Sequence, residues 1–233
     1  MMALIKFGGG VVDMRGSIAG TTFARNSYGA YARGRTKPIN PNTALQQGIR
    51  SIMLALTTAW SNTLTAANRA AWDVYAASID WQNRLGETVK LTGFNHFIRS
   101  NLTLLNGDLA QVNAGPVTLS LPTADATLAV AVSEATQLCT VTFDDTADWC
   151  DTAGSGLLLY AGQPVNVTRN FFKGPYKLAG CLAGSVGTPP ETGDTIANPY
   201  QVAEDMKQFF YARIAHADGR VSNPFQVSCD VAA

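Results

Sequence analysis

The spacing of apolar side chains divides this 233-residue chain into blocks. In the middle of the chain apolar residues recur every three or four positions, the period of a helix that buries one face. Near the N-terminus and throughout the C-terminal half they alternate with small or polar residues, the period of a strand. The pattern predicts an α+β chain made of an extended N-terminal arm or β-ribbon (1–42), a three-helix segment (43–110), a linker (111–124) and an antiparallel β-sandwich (125–233).

The middle block predicts three helices. The first begins at an N-cap, either Asn42 or Thr43, and the second begins at Thr65. The third covers "GFNHFIRSNLTLL", and the segment around "RLGE" before it reads as a hairpin or loop. The apolar stripes are expected to close a small core with Trp60 and Trp72 as its bulk. The first stripe consists of Leu45, Ile49, Ile52, Met53, Leu56 and Trp60.

Seven short runs in the C-terminal block alternate as strands do and are separated by turn residues. "GLLLYAG" and "KQFFYARIAHA" are two of them. The Asp-Gly pair in "ADGR" predicts that the last two runs form a hairpin. Seven short strands in about 100 residues are typical of a β-sandwich.

The arm contains two alternating runs, "TTFAR" and "AYARGR", on either side of a turn at "NSYG". This predicts a ribbon with aromatic and guanidinium groups on one face and small residues on the other. A disordered Gly-rich tail is the alternative, and the alternation and aromatic content favour the ribbon. Guanidinium groups bind carboxylates or phosphates with two hydrogen bonds. The predicted partner-binding residues are Phe23, Arg25, Tyr28, Tyr31, Arg33, Arg35 and Lys37.

Charge is balanced over the whole chain but not along it. Residues 1–50 carry seven basic residues and one acidic residue, whereas residues 120–233 carry six basic and twelve acidic. This asymmetry favours contact between the arm of one protein and the body of another. The zero net charge argues against general nucleic-acid binding, and no stretch is long and apolar enough to predict a membrane span. The short apolar run at the N-terminus does not read as a signal peptide.

No catalytic motif is recognisable, so we expect neither an enzyme nor a cofactor. "FGGG" is not followed by the Lys and Ser or Thr of a phosphate loop. The two histidines, His96 and His216, are expected to be a structural residue of the third helix and a polar turn residue. The four cysteines are too widely spaced for a metal site. A disulfide between Cys150 and Cys181 is an open but disfavoured alternative, because no secretion signal precedes it.

Two loops of the predicted sandwich are candidate contact sites. The acidic loop "FDDTADWCD" could receive an arginine from a neighbour's arm through Asp144, Asp145 and Asp148. A solvated loop and a Ca²⁺ site are the alternatives, although the spacing is not that of an EF-hand, and we expect no metal. In "NVTRNFFKGPYKLAG", Phe171 and Phe172 are adjacent, and we expect one in the core and the other exposed as an anchor for a partner.

Several strings in the first half resemble a family of uncharacterised proteins encoded in tailed-bacteriophage and prophage genomes. They are the Gly/Arg arm, the helix start "NPNT", the second helix "LTAANRAAW" and the third helix "GFNHF". The resemblance implies a virion structural component. It also implies that the C-terminal sandwich is of the immunoglobulin or fibronectin type III kind. It transfers no catalytic residue to this chain.

These observations predict a structural virion protein, assembled in the host cytoplasm and located in the virion. The favoured role is a head decoration or cement protein whose arm attaches to the major capsid protein. A tail or baseplate protein is an alternative, as is a module that binds a host glycan through Trp81, Trp149 and Phe171. The expected partners are other virion proteins and copies of the chain itself. An enzyme that acts on a polysaccharide is least favoured, because the acidic loop is its only candidate site.

Overall fold

The computed structural model describes residues 2–26, 28–172 and 174–233 and has a mixed α+β architecture, mostly sheet with three helices. The arm forms a four-stranded antiparallel sheet, called here the N-terminal sheet, rather than a two-stranded ribbon. Its strands run in the order β1-β4-β3-β2. They are β1 (Met2–Ile5), β2 (Gly16–Ile18), β3 (Thr21–Asn26) and β4 (Gly29–Gly34).

The helices begin where their caps predict. Thr43 is the first N-cap and its hydroxyl accepts a hydrogen bond from the backbone N–H of Gln46, while Thr65 caps the second helix in the same way. A short hairpin around "RLGE" precedes the third helix. The elements are α1 (Ala44–Thr58), a π-helical turn (Ala59–Thr63), α2 (Ala66–Ser78), β5 (Trp81–Gln82), β6 (Thr88–Val89) and α3 (Gly93–Asn106).

The helices share an apolar core centred on Trp72, which is fully buried. Its ring lies edge-on to Phe97 of α3, with 5.7 Å between centroids. Trp60, expected beside it, is only half-buried and also packs against Phe97.

The expectation that the whole stripe of α1 enters this core is wrong. Only Leu56 is fully buried, whereas Leu45, Ile49 and Met53 are exposed. The first half of α1 is covered only in part: Leu45 faces solvent, whereas Ile49 borders a cleft beside α3 and the large sheet.

The C-terminal half forms a large sheet of eight strands. Seven follow the order β11-β9-β13-β14-β7-β8-β12, and the short β10 pairs with β13. The pairing is antiparallel except where β14 meets β7. The strands are β7 (Ala129–Ser133), β8 (Leu138–Thr142), β9 (Gly156–Gly162), β10 (Val165–Asn166), β11 (Tyr176–Ala183), β12 (Thr195–Ala197), β13 (Met206–Ala215) and β14 (Phe225–Ala232).

The large sheet curls until its two end strands almost meet. A Cβ atom added to Gly180 of β11 would lie 2.8 Å from the Cγ2 atom of Ile196 in β12. The sheet is therefore nearly closed around its own core. The seven strand runs predicted from sequence all lie in this sheet, whereas β12, which is only three residues long, was not predicted.

The strand β9 is buried on both faces, which explains its unbroken apolar run. Leu157 and Leu159 point into the core enclosed by the sheet. Leu158 points to the outside of the sheet and packs with Leu104 of α3. The helical segment thus covers the outer face of the sheet at this strand.

The segment 111–124, expected as a linker, has no regular secondary structure but is fastened to the helices. The Asn101 side chain exchanges hydrogen bonds with the backbone of Val112, and the Trp72 indole N–H donates to the carbonyl of Asn113. Pro116 is buried.

All four cysteines are free thiols, including Cys150 and Cys181. Within the described residues, no helix has both the length and the apolar character needed to cross a membrane.

Candidate assembly interface

The N-terminal sheet has no core of its own. None of the described side chains between residues 3 and 43 is buried, although this stretch contains almost four complete strands. In β3, four residues are half-buried and two are exposed. Both faces of the sheet are therefore accessible to another molecule.

The body holds this sheet at one end, through the β5–β6 hairpin. The buried Asn83 donates a hydrogen bond of 3.0 Å from Nδ2 to the backbone carbonyl of Tyr28. Its Oδ1 accepts from the backbone N–H groups of Leu85 and Glu87, which fixes the hairpin. Asn83 therefore links the tip of the β3–β4 turn to the folded body.

An ion pair adds a second contact at this end. The Lys6 ammonium lies 2.7 Å from a carboxylate oxygen of Glu87. Their hydrogen bond raises the pKa of Lys6 and lowers the pKa of Glu87. Because both side chains are largely exposed, water and salt screen this pair, and it contributes little to stability.

The strand register corrects the prediction of one aromatic and basic face. Phe23 pairs with Ala32 and Arg25 pairs with Ala30, so these four side chains share a face. Across the same ladder, Thr22 pairs with Arg33 and Ala24 with Tyr31, which places Tyr31 and Arg33 on the opposite face. Paired residues of antiparallel strands point the same way, so each face carries one aromatic ring and one guanidinium.

The other predicted arm residues lie at the ends of this sheet. Tyr28 is in the β3–β4 turn and about one third exposed. The backbone N–H of Arg35 donates to the carbonyl of Gly20, just beyond the last ladder pair, and its side chain is exposed. Lys37 follows in the extended segment that leads to α1.

Four cations of the arm have no anionic partner among the described residues. The ion pairs there involve Lys6, Arg15, Lys90, Lys207 and Arg220. The remaining basic residues of the arm are all exposed, and they are Arg25, Arg33, Arg35 and Lys37. The excess positive charge of the N-terminal part is thus presented to solvent.

Sequence reasoning missed an apolar extension of this surface. Ile39 is 91% exposed, and Leu45 and Leu54 of α1 are about 70% exposed. The helical period in the sequence placed the α1 stripe in the core. A period shows which side chains share a face, but it does not show whether another element covers that face. The low charge content of the chain, 15%, was the only signal of covered surface in the sequence.

The acidic loop follows β8 and lines an open cleft of about 400 Å³. Asp144 and Asp148 border this cleft together with Asp125 and His216. Hydrogen bonds from Thr146 hold the pKa of Asp144 below its usual range.

Asp145, the third predicted residue of this loop, is exposed. No carboxylate of the loop forms an ion pair with a described residue. Among the described residues, no group of three or more His, Cys, Asp or Glu side chains is arranged to hold a metal ion.

Of the two adjacent phenylalanines, one is exposed as expected, but the other is only half-buried and does not belong to the core. Phe172 is half-buried, with its ring centroid 4.7 Å from that of Phe209. Phe171 is 60% exposed and lies under the guanidinium of Arg169. The residues proposed for a glycan groove do not form a common exposed platform, because Trp149 is only 1% exposed.

His96 is a structural residue, as expected. It is fully buried, and its Nε2 accepts a hydrogen bond from the indole N–H of Trp81. Burial and the nearby Arg99 lower the pKa of His96 to about 4. The imidazole is therefore neutral at pH 7.

Comparison of the chain with protein-family models, curated proteins and solved structures yields no match.

Proposed function

We propose that this chain is a structural subunit of a tailed-bacteriophage particle and that its N-terminal sheet attaches it to a neighbouring virion protein. The observation that carries the assembly role is a four-stranded sheet in which none of the described side chains from residue 3 onward is buried. The phage setting is supported by the resemblance of the arm and helices to phage-encoded proteins. Within the particle we favour a head decoration or cement role, with the major capsid protein as the surface bound.

Energetics support a covered N-terminal sheet. Ordering a backbone costs about 1–2 kcal/mol per residue, and folded strands offset this by burying apolar side chains. A sheet whose side chains are at most half-buried has little of that compensation and depends on its hydrogen bonds and on neighbours. Docking on another protein would supply the missing burial to both faces or to an edge.

The edges of the N-terminal sheet are suited to strand addition. Among the described strands, β1 pairs only with β4 and β2 only with β3, so each leaves one side without a strand partner there. A free edge presents backbone N–H and carbonyl groups that a strand of another chain can pair with. The exposed arginines Arg25 and Arg33, on the inner strands β3 and β4, would select a partner surface rich in carboxylates.

We further propose that the large sheet is a variant of the immunoglobulin or fibronectin type III sandwich. Its strand order places β11-β9-β13-β14 on one side and β7-β8-β12 on the other, joined by the parallel β14–β7 pair. Such a domain would face away from the docking surface and form the displayed part of the subunit.

Deletion of residues 2–42 tests the attachment role. Virions assembled with the truncated chain would be purified and probed for this protein, while circular dichroism checks the fold of the free truncated chain. We expect a folded chain that is absent from particles. A truncated chain that folds and still joins the particles at wild-type copy number would overturn the proposal.

A charge variant tests the same surface without removing it. In Arg33→Gln/Arg35→Gln the sheet keeps its backbone pairing but loses two exposed cations. We expect fewer copies per particle than in the wild type, and this difference should shrink as salt is raised, because salt screens the charge contacts that only the wild type retains. Lys177→Gln, at an exposed position of the distant β11, is the matched control and should incorporate normally.

A further inference from the structure

A small cleft lies where α3 and α1 meet the outer face of the large sheet. It has a volume of about 260 Å³, and two arginines line it, Arg99 from α3 and Arg213 from β13. This "arginine cleft" is distinct from the N-terminal sheet and belongs to the part of the molecule that has a buried core.

Arg99 is held in a fixed position. Its Nη1 and Nη2 atoms donate hydrogen bonds of 3.0 and 2.9 Å to the backbone carbonyls of Val221 and Ser222. The ring of Trp81 lies 4.6 Å from the guanidinium carbon. These contacts use one edge and one face of the guanidinium and orient it without neutralising its charge.

No carboxylate balances the two positive charges. Among the described residues, neither Arg99 nor Arg213 has an acidic side chain within ion-pair distance. Burial, together with the charge of Arg213, lowers the pKa of Arg99 to about 10. Two like charges that are partly removed from water are costly unless an anion joins them.

The rest of the lining provides an aromatic wall and polar groups. Tyr160 and Tyr211 are stacked, with 4.4 Å between ring centroids and 9° between ring planes. Asn106 lies beside Tyr160 and lines the cleft, and Ile49 of α1 closes it on another side. A cavity with apolar walls and a few convergent polar groups is the usual form of a small-ligand site.

We propose that the arginine cleft binds one oxyanion group, a carboxylate or a phosphate, between the guanidinium groups of Arg99 and Arg213. Planar guanidinium groups donate paired hydrogen bonds to such anions, and the backbone contacts of Arg99 leave its Nε–H without a hydrogen-bond partner among the described residues. The tyrosine wall and Ile49 favour an anion that carries a flat or apolar substituent. This inference does not depend on the proposed role in a phage particle.

The test uses the full-length protein and NMR signals of the arginine Nε–Hε groups. Inorganic phosphate, benzoate and acetate are titrated at constant ionic strength, with chloride as the reference anion. We expect saturable shifts of the Arg99 and Arg213 signals, with benzoate binding more tightly than acetate. Shifts that stay linear in anion concentration, or that chloride reproduces, would overturn the proposal.

Arg213→Gln is the principal variant, because Arg99 also holds the backbone of residues 221 and 222 and its loss could unfold the chain. We expect about tenfold weaker benzoate binding, the usual effect of removing one charge-assisted hydrogen bond. Arg84→Gln, in the exposed β5–β6 hairpin, is the control and should bind as the wild type does. Equal affinity in the wild type and Arg213→Gln would show that the cleft is not the site.

Sedimentation of the same samples distinguishes two sources of the oxyanion. If saturating benzoate dissociates an oligomer of the wild-type chain, the natural occupant is a side-chain carboxylate of a second copy. If the oligomeric state is unchanged while the NMR shifts saturate, the natural occupant is a free anion. Both results support the cleft as a binding site.

Discussion

The N-terminal sheet and the large sheet are built from similar strands but reach opposite degrees of burial. Six of the seven residues of β9 are buried, whereas none of the six residues of β3 is. Both strands lie between two hydrogen-bonded neighbours, although β2 pairs with only the first three residues of β3. The difference shows that hydrogen bonding and alternation suffice to form a sheet, and that only a second layer makes it part of a core.

Truncating one aromatic side chain in each sheet should show the difference in burial most clearly. Phe210→Ala removes a fully buried ring from the large sheet and should lower the free energy of unfolding by about 3–5 kcal/mol. Phe23→Ala removes a half-exposed ring from the N-terminal sheet and should cost about 0.5 kcal/mol or less. Urea unfolding of the purified chain measures both.

Measuring the two variants at several protein concentrations provides the control. If Phe23→Ala costs several kcal/mol at high concentration and little after dilution, a second copy covers the N-terminal sheet in solution. A large cost at every concentration would contradict the view that this sheet lacks a core.

Acid should destabilise the helical core more than the N-terminal sheet, where it removes the exposed and weak Lys6–Glu87 ion pair. The folded pKa of His96 is about 4, below its ordinary value of 6.5, so the unfolded chain binds the proton more tightly. Stability is therefore complete above pH 6.5 and falls as the pH drops toward 4, by up to roughly 3 kcal/mol. Urea unfolding at successive pH values measures this loss.

Burial also lowers the pKa of His216, so protonation of this residue likewise lowers the free energy of unfolding as the pH falls. The control is His216→Gln, which should retain most of the acid sensitivity, whereas His96→Gln should remove most of it. An unchanged pH profile in His96→Gln would show that other groups cause the acid loss.

Much of the fold was readable from the sequence because local rules determined it. Thr43 and Thr65 cap helices through short-range hydrogen bonds, and the alternation of "GLLLYAG" and "KQFFYARIAHA" marks β9 and β13. The mixed α+β class follows from these elements. The short strands β1, β2 and β12 were missed because three or four residues carry no detectable period.

The candidate sites were less predictable because they depend on partners distant in sequence. The alternation in β3 and β4 was correct for each strand, but only the register shows that Phe23 and Tyr31 occupy opposite faces. Similarly, Arg99 and Arg213 are 114 positions apart, and only the packing of α3 on β13 brings them to one cleft. The α1 stripe is partly exposed because no second layer covers all of it, and a local sequence pattern cannot show whether such a layer is present.

Replacing a glycine with alanine in the packed segment 111–124 and in the exposed half of α1 compares a packed region with an open one. A Cβ atom at Gly115 would lie 2.6 Å from the backbone carbon of Ala71, so Gly115→Ala must displace the packed segment 111–124 and should cost about 1–3 kcal/mol. At Gly48, in the exposed half of α1, nothing lies within 4 Å of such an atom. There the substitution should stabilise the helix by about 0.5–1 kcal/mol. Thermal unfolding compares the two, and equal effects would contradict the assignment of one packed and one open site.

The smallest effect is expected at the contact between the N-terminal sheet and the β5–β6 hairpin. Asn83→Ala removes the hydrogen bond to the Tyr28 carbonyl and the bonds that fix the β5–β6 hairpin. We expect the opening free energy of β3 and β4 to fall by about 1 kcal/mol, which speeds their amide exchange about fivefold, while β9 and β13 keep their protection. Lys6→Ala, which removes only the exposed ion pair with Glu87, should leave all four strands unchanged. Hydrogen exchange with peptide resolution measures each strand separately. If β3 and β4 remain fully protected in Asn83→Ala at low protein concentration, the N-terminal sheet is stable by itself, and burial by a neighbour is not what keeps it folded.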